Sequence, residues 1–475
     1  MSEVTRRRFL RHSLALTGGT FAIGVTGREV LGANEAVNIG VSGTGGRGSG
    51  HVRTYLGMGN VRVTWCIDTD VRRFKGNADR AEKKQGARPK STQDVRKALE
   101  DKDLDAISIA TPNHWHTLQT LWAVQAEKDV YVEKPCTHVV REGRVCAEII
   151  DKSKQIVQTG TQRRSSGHWA RMEAITRSGK LGKLLISHGF SSKPRGSIGF
   201  AKPEKPPEWL DWNLWVGPSP MQPYHDNLVH YNWHWFWDFG CGEIGNQGVH
   251  QTDVARWAIP GATHPQSVFS LGGRIGYKDQ GQTPNTQLTT YDYGETLMVF
   301  EVCGLVSGKT RRVSNDFIYE AGKVVDGKKF YPKDGGGKTA PLPKVDVELG
   351  PGGGNFGNFI AAVRSRKKED LNAPWIEGHY SAAICHLGNI SYRLGKEMVF
   401  GKVDKPFESD YPNEQWERLM KHLVENRKLK LDEWKGKLGQ HLTFDAEKEE
   451  FVRNAAANKL LTRPPRPPFD VPREA

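Results

Sequence analysis

Lys134 follows Glu133 and precedes Pro135 at the end of the apolar run Val130-Tyr131-Val132. A lysine carried to a strand end can take a proton from a hydroxyl group, or return one, while hydride moves. Its pKa must first be lowered by burial or a nearby cation, because Glu133 alone would raise it. Such chemistry needs a nucleotide site, and one is written upstream as Gly43-Thr-Gly45-Gly-Arg47-Gly48. In a G-x-G-x-x-G loop the first glycine permits the turn, and the second lets a pyrophosphate approach the backbone. The third allows close helix–strand packing, with the phosphates at the helix N-terminus. Asp68 stands twenty residues beyond Gly48. A carboxylate there accepts from the adenosine ribose hydroxyls and favours NAD over NADP. Arg72 and Arg73 temper that preference, and a helix N-cap is the plainer reading of Asp68.

These residues need strands and helices in alternation to hold them. Residues 36–41 read as a first strand, with a helix opening at the glycine loop, and Val61–Ile67 as a second strand ending at Asp68. A third, 105–110, runs into Thr111-Pro112-Asn113-His114-Trp115-His116, and a helix over 117–128 leads to the strand carrying Lys134. The βαβαβ rhythm predicts a doubly wound parallel sheet, with ligands at the carboxyl ends of its strands.

The glycine loop, the segment Ala110–His116 and Glu133-Lys134-Pro135, in that order, resemble the glucose–fructose oxidoreductase / inositol dehydrogenase / MocA family across residues 36–400. The resemblance implies an α/β chain: an N-terminal Rossmann domain followed by an α+β domain with a large, mostly antiparallel open sheet. It places Lys134 beside the nicotinamide and the sugar hydroxyl, Asn113 and His116 on the nicotinamide side, and Glu133 at the cofactor ribose. Thr111, Pro112, Gln162 and Arg47 complete the expected cofactor set with Gly43, Gly45, Gly48 and Asp68. Asn246, His250 and Asp253 fall at i, i+4 and i+7, one face of a helix. In the family's substrate helix, which this resembles, a histidine partners the lysine in proton transfer, and His250 matches it. Many members carry Asp where this chain has Asn246; an amide cannot act as a base, so proton traffic would rest on Lys134 and His250. A metal site at His250 and Asp253 is the rival reading, and it lacks a third ligand.

Beyond Ser153 the character changes. Residues 209–239 hold six of the fourteen tryptophans. Flat aromatic faces suit stacking on sugar rings, and they suit an aromatic core or a dimer interface equally well. The expected substrate set is Arg163, Tyr231, Trp233, Asn246, His250 and Asp253, with one or two of the six tryptophans touching substrate. Strands at 289–293 and 296–302, a glycine-rich loop at 334–354 and helices at 356–366 and 378–394 follow, with His379 and His386 read as structural. Arg463-Pro-Pro-Arg-Pro-Pro468 reads as an extended arm.

The chain is long enough for two domains, and its 37% hydrophobic and 26% charged content suits a globular protein. The expected division is 1–33, a signal region; 34–157, the nucleotide domain; 158–400, the substrate and oligomerisation domain; and 401–475, an extension. Of the formal charge of +14, about +11 remains without residues 1–33, scattered among acidic residues with no dense basic run. Nucleic-acid binding is therefore not expected, whereas an anionic substrate or surface would profit from the charge. The six cysteines show no metal spacing and no metal site is expected. Thr5-Arg-Arg-Arg-Phe-Leu-Arg11 closely resembles the twin-arginine export signal, and the apolar stretch 13–26 is too short and glycine-rich to anchor in a bilayer. The resemblance implies the twin-arginine translocase as a partner, export to the periplasm or beyond already folded, and a tightly held cofactor. The leading expectation is an NAD-dependent oxidoreductase acting on a sugar or polyol, assembled as a dimer or tetramer through its exposed sheet. A redox-neutral glycoside hydrolase using the same first half-reaction is the alternative, and a non-catalytic carbohydrate-binding protein the second.

Overall fold

In the computed structural model, which describes residues 36–472, six parallel strands form the first sheet. They are β1 (Val37–Ser42), β2 (Val61–Ile67), β3 (Lys90–Thr92), β4 (Ala106–Ile109), β5 (Asp129–Val132) and β6 (Val157–Thr159), in the order β3-β2-β1-β4-β5-β6. The chain order reverses between β1 and β4, which opens a crevice at their carboxyl ends. Val37, Ile39, Val41 and Val63 are fully buried, as strands covered on both faces require. Helices α1 (Gly46–Leu56), α2 (Phe74–Gln85), α3 (His116–Gln125) and α4 (Val140–Lys152) supply the cover. The element order is the expected one, with ends shifted by a residue or a few, as hydrogen bonding trims fraying termini.

The second sheet has eleven strands. At its centre lie β7 (Leu184–Ser192), β8 (Ser267–Gly273), β9 (Thr286–Asp292), β10 (Leu297–Cys303) and β11 (Arg312–Tyr319). β7 runs parallel to β10, and the other pairings in this sheet are antiparallel. Period-two alternation divides each central strand between two cores. Met298, Phe300 and Val302 of β10 face inward with Ile244, Val249 and Val254. Val299 and Cys303 face outward with Leu271 and Leu288.

That outward face was expected to be open for oligomer contacts. Instead, Trp416, Leu419 and Leu423 of helix α9 (Asp410–Glu425), with Phe400, cover it. Within the segment expected as an extension, β12 (Lys435–Leu438) and β13 (Leu442–Asp445) both pair with β8 of the second sheet. An oligomer of this chain must therefore use surfaces other than this patch.

Helices α7 (Gly354–Ser365) and α8 (Trp375–Arg393) join the halves: Phe359 and Val363 pack in one nucleotide-domain core, Trp375 and Ala382 in the other. His379 sits on the Glu449 carboxylate at 3.0 Å and His386 on the Thr137 carbonyl at 3.1 Å, both buried. The terminal arm turns back onto the nucleotide domain. Arg463 donates to Glu142 and to the His114 carbonyl, both at 3.0 Å, and Phe469 lies edge-on to Trp115, with ring centroids 5.5 Å apart. All six cysteines are buried and free. No described helix is long and apolar enough to cross a membrane. The signal region, including Thr5–Arg11, lies outside the described residues.

Candidate functional site

The crevice above β1 and β4 widens into a cleft of about 620 Å3 lined by both domains. Its floor is the glycine loop. Gly43 has φ +79°, and a Cβ there would meet the Ala110 backbone at 2.7 Å. A Cβ on Gly48 would lie 1.7 Å from the Gly43 carbonyl oxygen, so the third glycine is a packing requirement. Gly45 and Gly46 differ: a Cβ on Gly45 finds nothing nearer than Arg73 Nε at 3.9 Å, and one on Gly46 nothing within 4 Å. The first amides of α1 therefore face open space, the cradle that a pyrophosphate takes.

Asp68 closes the adenosine end. Its Oδ2 accepts from the Thr44 amide at 2.8 Å and its Oδ1 from the Asp70 amide at 3.0 Å. Burial pushes its carboxyl up to about 6 despite these bonds. A carboxylate here suits two ribose hydroxyls and repels a 2′-phosphate. Loop, helix N-terminus and carboxylate together fit NAD.

At the other end, Glu133 is nearly buried and accepts from Arg47 Nε at 2.7 Å, His51 Nε2 at 3.1 Å and Gln162 Nε2 at 3.3 Å. Burial alone would raise its pKa; His51, Arg47 and Lys134 outweigh burial and hold it well below the usual carboxylate range. Lys134 donates from Nζ to the Asn246 carbonyl at 2.7 Å across the domain boundary. Burial lowers its pKa, partly offset by Glu133. His250 lines the same end. Burial, then the Lys134 charge, holds its pKa well below the ordinary histidine value, and its Nδ1 is buried without a partner. The ring is thus neutral, with Nε2 left for a ligand.

Thr111, Pro112, Asn113 and His116 line the cleft as expected, but His116 is spoken for. Its Nδ1 faces the Pro135 carbonyl at 2.6 Å and its Nε2 the Thr111 carbonyl at 2.8 Å. It positions the strand end bearing Lys134 rather than offering a nitrogen to a ligand. Tyr231, Trp233 and Asn246 line the substrate end. The Tyr231 hydroxyl accepts from Arg195 Nη1 at 2.9 Å and Asn246 Nδ2 at 3.4 Å. Of the six tryptophans in 209–239, Trp215 and Trp233 reach the cleft; His234 stacks on Trp233 with centroids 3.6 Å apart.

The expectation of one helical face is corrected for Asp253. Between α5 (Gly242–Asn246) and α6 (Val249–Trp257), Gln247 and Gly248 stay helical, but the Gly248 amide donates to the Glu243 carbonyl five residues back at 2.9 Å, and this wider turn shifts the i+7 phase between Asn246 and Asp253. Asp253 is fully buried away from the cleft, bound by Arg164 Nε at 2.8 Å and Ser381 Oγ at 2.7 Å. It therefore serves neither a substrate nor a metal shared with His250. Arg163 is likewise outside the cleft, its guanidinium 4.9 Å from the Trp169 ring centroid. His51, Lys193 and His234 were not singled out from the sequence. His51 is one histidine in an amphipathic helix, and only the packing of α1 on β4 and β5 brings it to Ser108 at 2.9 Å and to Glu133.

Residues 37–161 match the description "Oxidoreductase family, NAD-binding Rossmann fold", and 195–429 match "Oxidoreductase family, C-terminal alpha/beta domain". The chain belongs to the Gfo/Idh/MocA oxidoreductase family. Within it, the chain is similar to inositol 2-dehydrogenase 1 of Saccharopolyspora erythraea, 31% identical over 36% of this chain and 50% of that protein. It is also similar to inositol 2-dehydrogenase of Rhodococcus jostii, 26% identical over 65% and 78%. The chain spans about half the length of the first curated relatives it matches. Among solved structures, levoglucosan dehydrogenase in complex with NADH and levoglucosan aligns at TM-score 0.55 and 16% identity, over 74% of this chain and 96% of that one. The myo-inositol dehydrogenase of Lactobacillus casei, in complex with NAD(H) and myo-inositol, aligns at 0.51 and 18%, over 74% and 93%. At such identities the likeness shows the fold.

Proposed function

We propose that this family member oxidises a hydroxyl group of a sugar or polyol, or reduces the corresponding ketone, with NAD held in the cleft. The observation that carries the reading is Lys134 Nζ, anchored on the Asn246 carbonyl where the nucleotide half meets the second domain. The cofactor supplies a two-electron hydride acceptor when bound. The chain's residues do the rest. The α1 N-terminus and Asp68 orient the nucleotide, and Glu133, held ionised by Arg47 and His51, fixes the approach to Lys134. As hydride leaves the carbon with its bonding electrons, the hydroxyl proton passes to His250 or to Lys134 in its neutral amine form, and the C–O bond becomes C=O. Burial lowers the pKa of both groups, which favours the neutral form that can accept a proton.

The test mixes the protein and NAD with a panel of polyols and sugars, following reduced-nicotinamide absorbance and product together. Net reduction with no bond cleaved supports the proposal; glycoside cleavage without net reduction replaces it with the redox-neutral hydrolase. Export is a separate proposal, supported by Thr5–Arg11. Cell fractionation of the full chain and of a variant with Arg6→Lys and Arg7→Lys decides it; an unchanged distribution removes it.

A further inference from the structure

The two walls of the cleft differ in charge. The nucleotide wall carries Asp68, Asp94 and Glu133, each already satisfied: by backbone amides, by Arg96 and by Arg47 with His51. Among the described residues, the wall from the second domain carries no carboxylate, and Lys193 is its one lysine or arginine. The Lys193 ammonium meets the Gln247 side-chain oxygen at 3.4 Å, and no described carboxylate lies in ion-pair contact with it. The carboxylate that feels its charge is Glu243, and that group is taken by Arg195 Nε at 2.7 Å and Ser191 Oγ at 3.0 Å.

The surroundings of Lys193 are donors or neutral. The Tyr231 hydroxyl accepts from Arg195 and Asn246, which leaves its own hydrogen to donate. Asn246 and Gln247 are amides, and burial holds His234 down to about 3, so it adds no charge. A half-buried ammonium with no carboxylate in contact, among neutral donors, favours an anion over a neutral ring.

We propose that the substrate is a saccharide bearing an anionic substituent, a carboxylate or a sulfate, which Lys193 binds with the Tyr231 hydroxyl while Lys134 and His250 serve the hydroxyl being oxidised. This rests on the proposed dehydrogenation, so the test separates the two. The protein with saturating NAD is given matched pairs: glucuronate against glucose, galacturonate against galactose, glucose 6-sulfate against glucose. Both reduced-nicotinamide formation and binding, by tryptophan fluorescence, are read for wild type, Lys193→Met and Lys193→Arg. The expected result is a preference of at least tenfold for one anionic class, expressed mainly in KM. It collapses toward one in Lys193→Met and is partly restored in Lys193→Arg. Equal use or binding of neutral partners, or a preference that survives Lys193→Met, overturns the assignment. Lys193-dependent binding of the anionic sugars without any nicotinamide reduction keeps the anion site and removes the dehydrogenation.

Discussion

Replacing Gly45 and Gly48 separately by alanine distinguishes a glycine kept for the ligand from one kept for the fold. At Gly48 the new methyl would sit 1.7 Å from the Gly43 carbonyl oxygen, a backbone atom that cannot swing aside. Overpacking ordinarily costs about 1–3 kcal/mol, and a backbone obstacle places Gly48→Ala at about 3 kcal/mol or more. Thermal unfolding should then fall by roughly 5 °C or more. At Gly45 the methyl's nearest protein neighbour is 3.9 Å away, so the fold should not notice it. It stands instead in the space before the first amides of α1. Losing charge-assisted hydrogen bonds there costs about 1.5–3 kcal/mol. NAD should therefore bind roughly 10- to 100-fold more weakly. Calorimetric titration with NAD and a thermal melt of each variant make the measurement. Wild-type NAD affinity in a folded Gly45→Ala protein would falsify the placing of the pyrophosphate on this loop.

NAD affinity should also depend on pH through Asp68. Its carboxyl titrates at about 6 in the free cleft, and ribose hydroxyls favour the ionised form, so binding releases a proton. Affinity should rise from pH 5 to about 6 and level off above; a flat profile, or one unchanged in Asp68→Asn, contradicts this. Lys134→Met should lower kcat by roughly 10^2- to 10^4-fold while NAD still binds. In wild type, kcat/KM should fall with acid as the two bases take up protons. Trp416→Ala should cost about 3–5 kcal/mol, read by urea unfolding, because it uncovers the outer sheet face. Phe469→Ala should speed NAD release, read by stopped-flow fluorescence, by loosening Trp115 in the cleft wall. A lowered melting temperature with unchanged release would make Phe469 merely structural.

The nucleotide half was legible because its chemistry is local. Gly43–Gly48, Asp68 and Lys134 each lie at the end of a strand whose apolar run marks it, and parallel βαβ connection brings those ends together. Asp253 misled because i+7 spacing assumes regular helical turns, and the wider turn closed by Gly248 on Glu243 shifts the phase. The apolar face of α9 is written in the spacing of Trp416, Leu419 and Leu423. Its partner, the outer half of each alternating strand, is visible only once the sheet is assembled. Lys193 carries no motif: its meaning comes from the absence of a carboxylate on the wall around it.

The arm ending at Phe469 also imposes an order on synthesis. Trp115 belongs to the cleft wall and is packed by one of the last described residues, while Arg463 ties the neighbouring His114 carbonyl to Glu142. A ribosome makes residue 115 long before residue 469, so a nascent nucleotide domain has its glycine loop and sheet but not this backing. The wall is finished only once the arm has been made, and a product truncated before the arm would lack it.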